Sequence, residues 1–211
     1  PLPLPNDAPH LLERLAAEQP GQRIQTSVRQ ALQRQTQALV NRYAREYSSN
    51  HIHNLAAIVA DVETGEVLAY AGNATYPADE RRGNQVDIIT SPRSTGSILK
   101  PFLYAGMLHD GLLLPSMLVS DVPLNINGFS PHNYNKTFYG AVPAHVAIER
   151  SLNVPLVRML SQYNTGRFMS LLKSWGMTTL RFSEEHYGAS LILGGAEGTL
   201  WDLSGMYASM S

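Results

Sequence analysis

Cysteine is absent from the 211 residues, which excludes a disulfide framework, a Cys-ligated zinc site and a thiol nucleophile. Charge is scarce: Asp, Glu, Lys and Arg make up 16% of the chain, below the roughly 25% usual for soluble proteins. With 44% hydrophobic residues, there is enough apolar material for a buried core, and the composition is not that of a disordered segment. A net charge of −1 lacks the basic footprint of nucleic-acid binding, so no nucleic-acid partner is expected. Long hydrophobic runs are also missing. The longest, Gly111 to Val119, is interrupted by Pro115 and is too short to cross a bilayer. The opening Pro1-Leu2-Pro3-Leu4-Pro5 has neither a basic n-region nor an apolar h-region, so it is not a signal peptide.

What is present divides by periodicity. Residues 1–22 carry five prolines and read as an extended interdomain linker that admits a short helix at Pro9–Glu18. Residues 23–211 read as part of one domain. Ser27 and Gln30 have capping-box spacing ahead of Val28, Ala31, Leu32, Gln35, Leu39, Tyr43 and Tyr47, predicting an amphipathic helix over about 27–47 whose Gln and Arg residues lie mostly off the apolar stripe, on a solvated face. Leu55–Asp61 and Glu66–Ala71 are β-rich around Val62-Glu63-Thr64-Gly65, a hairpin. Residues 72–96 form a long irregular stretch. Helices are predicted over about 97–109, 143–150, 155–163 and 166–175, the last closed by Gly176. A final helix opens with the capping pair Thr199 and Asp202 and meets no stop signal before Ser211. The class is therefore α+β.

Only three lysines occur, against thirteen arginines, and two of them stand three residues after a serine: Ser97/Lys100 and Ser170/Lys173. At that spacing an amine lies one helical turn from a hydroxyl. A serine hydroxyl needs a base to become nucleophilic, and a lysine whose pKa is lowered by burial can be that base. Ser170 sits inside an amphipathic run and reads as ordinary helix surface. Ser97 sits where an irregular loop enters a helix, just after Gly96, with free N–H groups and a positive dipole end nearby. The alternative for this pair is a capping serine beside a surface lysine. Ser151-Leu152-Asn153 follows 54 residues after Ser97 in a break between two helices. A second hydroxyl there can relay a proton and an amide can hold a carbonyl or orient the lysine; a plain helix cap is the competing reading. Ser48-Ser49-Asn50 has the same spacing without a companion and reads as a helix-ending loop.

Gly96-Ser97-Ile98-Leu99-Lys100-Pro101-Phe102, Ser130-Pro131-His132-Asn133-Tyr134, Tyr139-Gly140 and Ser151-Leu152-Asn153-Val154-Pro155 together resemble the transpeptidase domain of class A penicillin-binding proteins. The 61–69 hairpin and Leu193-Gly194-Gly195-Ala196-Glu197-Gly198 are similar to the same family, closest to its 1C kind, and the likeness runs the length of the chain in order. The resemblance implies a penicillin-binding/serine β-lactamase-like fold, an antiparallel sheet packed by helices, and D,D-transpeptidation of peptidoglycan stem peptides with β-lactam antibiotics as inhibitors. In that scheme Ser97 is the nucleophile, Lys100 its base and Ser151 the proton relay, while Asn153 holds substrate. No cofactor is implied. Other cell-wall synthesis proteins are expected partners, and the parent is expected to be anchored in the bacterial inner membrane, facing the periplasm.

The family's third motif, Lys-[Ser/Thr]-Gly on a strand, has no match. Lys136-Thr137-Phe138 and Lys173-Ser174-Trp175 carry a bulky third residue at the wrong place in the order. That motif and the rest of the sheet are expected after Ser211, and a glycosyltransferase domain before Pro1, leaving the chain by itself short of a complete catalytic set. Rival readings are a serine β-lactamase or carboxypeptidase, against which Leu152 counts because class A β-lactamases carry Asp there, and a non-catalytic β-lactam sensor or scaffold. Of the weaker signals, His51 and His53 share a face if their segment is a strand but lack a third metal ligand. His132 and His145 read as loop and helix polar groups, Glu184-Glu185-His186 as a solvated loop, Arg81-Arg82 as an exposed pair, and Trp175 and Trp201 as core. Asn73-Ala74-Thr75 and Asn135-Lys136-Thr137 match a glycosylation pattern that matters only in a eukaryotic secretory setting.

Overall fold

The computed structural model describes residues 6–75, 80–126 and 128–210. In chain order these form α1 (Pro9–Glu18), α2 (Gln30–Glu46), β1 (Ala57–Ala60), β2 (Val67–Ala71), β3 (Arg93–Ser94), α3 (Lys100–His109) and β4 (Leu118–Asp121). Then follow β5 (Gly140–Pro143), α4 (Ala144–Glu149), α5 (Asn153–Tyr163), α6 (Thr165–Ser174), α7 (Glu184–Tyr187), β6 (Glu197–Gly198) and α8 (Leu200–Ala208). The strands pair antiparallel as β1–β2, β3–β6 and β4–β5. Two compact units result, one of Pro1–Pro92 with Thr199–Ser211, the other of Arg93–Gly198.

In the first unit the predicted hairpin forms at its predicted place. Asp61 closes the turn by accepting from the N–H groups of Glu63 and Thr64 (3.1 and 2.9 Å), and Gly65 takes φ +72°. Helix α2 differs from its expectation in two ways. Ser27 caps nothing; its hydroxyl donates to the Val67 carbonyl (2.8 Å) and Gln30 donates to Asp7 (2.8 Å), so tertiary acceptors take both halves of the anticipated capping box. The buried face is Gln33, Thr36, Val40 and Ala44, while Leu39 is exposed. Gln33, expected in solvent, is 1% exposed and grips β2: its Nε2 donates to the Tyr70 carbonyl (3.0 Å) and its Oε1 accepts from the Tyr70 N–H (2.7 Å). The amide thus acts as an extra rung on the sheet edge. Gln33→Ala leaves both backbone groups unpaired, and a loss of about 2 kcal/mol in a denaturation experiment is the expected outcome.

Helix α1 is tied to the same unit. His10 is buried with Nε2 2.8 Å from the Asn84 carbonyl, and Arg14 donates to the Tyr70 hydroxyl (3.3 Å), which itself donates to Asp87. Burial and the Asp87 carboxylate push the Tyr70 phenol well above its usual range. Trp201 is not core as expected: it is exposed, with the Arg14 guanidinium 4.8 Å over its ring. Asn73 is fully buried, its amide donating to the Gly83 and Val86 carbonyls, so the first glycosylation pattern is out of reach. His51 lies at φ +61° after a 3₁₀ turn at Tyr47–Asn50, so the two imidazoles are not on a strand face. Thr199 caps α8 as expected, accepting from the Asp202 N–H at 2.9 Å. That helix stops at Ala208 instead of running to Ser211; the Ser209 hydroxyl takes the Met206 carbonyl at 2.7 Å.

The second unit carries the helical run. Helices α3 to α6 fall within three residues of their predicted bounds, α6 ending before Gly176 at φ +107°. Trp175 packs on Phe102 with ring centroids 5.6 Å apart. Ser170 returns its hydroxyl to the Gly166 carbonyl (2.9 Å), the ordinary helix surface expected of it. Glu184-Glu185-His186, expected as loop, instead opens the single turn α7, and the β4–β5 pair was not anticipated.

Candidate active site

Lys100 is the first residue of α3 and is 2% exposed. An amine in that position must find oxygen partners or lose its proton. Three lie within reach: Nζ is 2.7 Å from the Ser151 carbonyl, 2.7 Å from Asn153 Oδ1 and 3.1 Å from Ser151 Oγ. Burial pulls the amine down from its ordinary 10.5 to about 8. The geometry serves both protonation states. An ammonium donates three times. A neutral amine gives its two N–H groups to the two carbonyl oxygens, which can only accept, and turns its lone pair to the Ser151 hydroxyl, which can donate.

Ser151 achieves its double contact through backbone geometry. It lies between α4 and α5 at φ +50°, a left-handed conformation that is costly for a residue with a Cβ. That twist turns its carbonyl and its hydroxyl toward the same amine. Asn153 starts α5, and its Nδ2 donates to the His132 carbonyl at 2.8 Å. Only a donor can face that carbonyl, so Oδ1 is left facing Lys100.

Ser97 stands in the turn that leads into α3, exposed, with its carbonyl accepting from the Lys100 N–H at 3.1 Å. The expected touch between its hydroxyl and the Lys100 amine is not among the hydrogen bonds. The amine's donors are spent on Ser151 and Asn153, which leaves the Ser97 hydroxyl and N–H without a protein partner among the described residues. The structure therefore brings together Lys100, Ser151 and Asn153, and sets Ser97 one helical turn away with both polar groups open to a ligand.

The Ser97 turn is built on a backbone contact. Gly96 takes φ +52°, the Thr95 N–H and hydroxyl both donate to the Ala196 carbonyl (3.0 and 3.1 Å), and the adjoining β3 and β6 pair through Ser94 with Glu197 and Arg93 with Gly198. Gly194, at φ +100°, lies so close that a Cβ there would stand 2.8 Å from the Gly96 Cα and nitrogen. The late glycine segment thus packs directly against the Ser97 turn.

Two residues beside the site carried no role in the sequence reading. Asn133 is 3% exposed and accepts from the Asn153 and Val154 N–H groups (2.9 and 3.3 Å). Asp121, at 0% exposure, accepts both carboxylate bonds from the Asn133 amide (2.9 and 3.0 Å). Asn133 lies in a segment already singled out by resemblance; Asp121 had no signal of its own. No group of three or more His, Asp or Glu residues suited to a metal occurs among the described residues, nor a helix long and apolar enough to cross a membrane.

A family model described as the penicillin binding protein transpeptidase domain matches residues 55–196. The chain is 32% identical over its whole length to penicillin-binding protein 1C of Escherichia coli strain K12, of which it covers 27%. It is 27% identical over 162 residues to penicillin-binding protein 1A of Rickettsia felis, a match that takes in 74% of this chain and 19% of that protein. The chain thus spans a minor part of the length of these relatives. Among solved structures, the penicillin-binding protein PonA1 of Mycobacterium tuberculosis superposes with a TM-score of 0.69 at 20% identity, covering 95% of this chain and 56% of that one. Penicillin binding protein 3 of the same organism gives 0.70 at 23% identity, covering 87% and 46%. The α+β fold expected from the sequence is the one shared with these structures.

Proposed function

The chain belongs to the penicillin-binding protein transpeptidase family, and from that premise we propose that it contributes the nucleophile, base and proton relay of a serine D,D-transpeptidase acting on peptidoglycan stem peptides. The observation that carries this reading is the buried Lys100 amine, held by Ser151 and Asn153 one turn from a serine whose hydroxyl and N–H are both unspent. Ser97 Oγ attacks the carbonyl carbon between two terminal D-alanines, and its proton passes to neutral Lys100. The direct contact forms as substrate closes the site, since catalytic hydrogen bonds are often long without ligand. The Ser97 N–H donates to the developing oxyanion. As the tetrahedral intermediate collapses, the C–N bond breaks and Ser151 Oγ hands its proton to the leaving D-alanine nitrogen, recovering one from Lys100. An amine from a second stem then attacks the ester, forming the cross-link and returning the proton to Ser97.

A β-lactam opens on Ser97 by the same attack and remains as an ester. Bacterial relatives support a periplasmic setting for the full-length protein, with membrane anchoring and cell-wall synthesis partners belonging to the same proposal.

The test uses the full-length protein. After incubation with a fluorescent penicillin, peptide mapping by mass spectrometry is expected to find the adduct on the peptide containing Ser97. With a stem pentapeptide and an amine acceptor, the expected product is the new amide with release of D-alanine. Hydrolysis alone would point to a carboxypeptidase or β-lactamase, and an adduct without any stem-peptide turnover to a sensor. No adduct, or one on another residue, overturns the assignment.

A further inference from the structure

Between β4 and β5 two adjacent residues face opposite environments. Tyr134 is fully exposed, while Asn133 is buried with every hydrogen-bonding capacity of its amide in use. Its Oδ1 accepts from the N–H groups of Asn153 and Val154, two donors that α5 cannot satisfy internally because they open the helix. Its Nδ2 donates to both oxygens of Asp121 and to the Thr137 carbonyl (2.9 Å). Asp121, at the end of β4, also accepts from the Tyr139 N–H at 2.9 Å, next to the start of β5. The carboxylate therefore fixes which way the Asn133 amide faces: nitrogen toward Asp121, oxygen toward α5.

The consequence reaches the reacting groups through one residue. Asn133 holds the backbone of Asn153, and the carbonyl of its neighbour His132 holds the Asn153 side chain. Both ends of Asn153 are thus set by residues 132 and 133, and what remains free is the oxygen that accepts from Lys100. Two residues earlier Ser151, in its strained backbone conformation, supplies the other two contacts to the same amine, one from its carbonyl and one from its hydroxyl. A helix start that carries a left-handed serine needs an anchor beyond its own hydrogen bonds, and the Asn133–Asp121 pair is one.

We propose that Asn133, oriented by buried Asp121, is a positioning residue for acylation: it acts through Asn153 to hold the Lys100 amine where it takes the nucleophile's proton. The inference rests on the transpeptidase reading and adds two residues to its machinery, neither of which touches the reacting atoms.

The experiment follows acylation of the full-length protein by a fluorescent penicillin, separating the acylation rate constant from the non-covalent affinity, with a thermal melt for each variant. Asn133→Asp retains oxygens for the α5 N–H groups but loses the donors and sets a second carboxylate against Asp121. Its acylation rate constant is expected to fall at least roughly tenfold, a modest share of what a general base supplies, with little change in affinity. The exchange Asp121→Asn with Asn133→Asp restores one amide facing one carboxylate and is expected to recover most of the rate. Rescue of this kind is not expected of a residue that merely fills space. Should Asn133→Asp fail to fold, Asn133→Ala carries the same expectation of slow acylation at unchanged affinity. Wild-type acylation in a folded Asn133→Asp or Asn133→Ala protein overturns the inference. So does an exchange variant that melts like the wild type but stays as slow as the single one. Ser97→Ala separates the two levels. Persistent labelling there removes the transpeptidase reading and this inference with it. Lost labelling in Ser97→Ala beside wild-type rates at Asn133 removes this inference alone.

Discussion

Lys100→Met is expected to slow β-lactam acylation by roughly a thousandfold, within the range that a general base contributes, while leaving the fold intact. Methionine matches the lysine stem in length and apolar character, so packing at this buried position is retained. What disappears is the proposed acceptor of the Ser97 proton, with its hydrogen bonds to Ser151 and Asn153. In the unsubstituted protein the same chemistry sets a pH profile. The amine is held near 8 by burial, so acylation is expected to rise with pH and level off above that value, a rate profile readable by stopped-flow with a fluorescent penicillin.

Stability carries a matching signature. In the unfolded chain the lysine keeps its proton up to its ordinary 10.5, whereas in the fold it releases it near 8. Between those values the unfolded state binds more protons, so stability rises with pH across this window, by about 3 kcal/mol in all, and is lowest below it. Lys100→Met removes that slope. The comparison of denaturation midpoints for the two proteins at pH 7.5 and 10.5 is the measurement, in round terms of pH chosen to bracket the window. A variant whose stability keeps the wild-type slope, or a wild-type acylation rate flat across neutral pH, would sink the role given to Lys100.

Gly194→Ala has the second large effect, for a reason unrelated to chemistry at the residue itself. The new Cβ meets backbone atoms of Gly96 at 2.8 Å and sits at φ +100°. Neither obstacle is a flexible side chain that can turn aside. Relief requires the Ser97 turn to move, and displacement of a nucleophile by about 1 Å costs on the order of a hundredfold in rate. Gly96→Ala is the informative comparison: its φ of +52° carries strain, but no atom lies within 4 Å of the added Cβ. We therefore expect labelling to fall far more in Gly194→Ala than in Gly96→Ala. Equal losses would mean that backbone strain, not the contact between the two glycine turns, governs the site.

How much of this was written in the chain depends on the range of the interaction. The 61–65 turn was legible because Asp61 and Gly65 satisfy it from within five residues. The Thr199–Asp202 cap forms as its spacing predicts because, among the described residues, no tertiary acceptor competes for that hydroxyl. The identical logic failed at Ser27 and Gln30, where Val67 and Asp7 offered partners that are distant in sequence. The buried face of α2 departs from its hydropathy pattern because burying an amide is unfavourable until an unpaired strand edge is placed beside it; Gln33 meets such an edge at Tyr70. Strands β4 and β5 are not legible in the sequence because each is four residues long and the partners lie far apart along the chain.

The same division runs through the site. Spacing, together with the family resemblance, singled out the residues proposed to carry the chemistry: a rare lysine three residues after a serine at a helix entrance, and a second serine with an asparagine at a helix break. Tertiary structure alone decided their relations. It gave the Lys100 amine to Ser151 and Asn153 instead of Ser97, set Asn133 and Asp121 behind them, and laid Gly194 against the Ser97 turn. The physical reason is that a residue's reactivity type is a property of its own atoms and near neighbours. Its hydrogen-bond partners and its dielectric surroundings belong to whatever the folded chain brings against it.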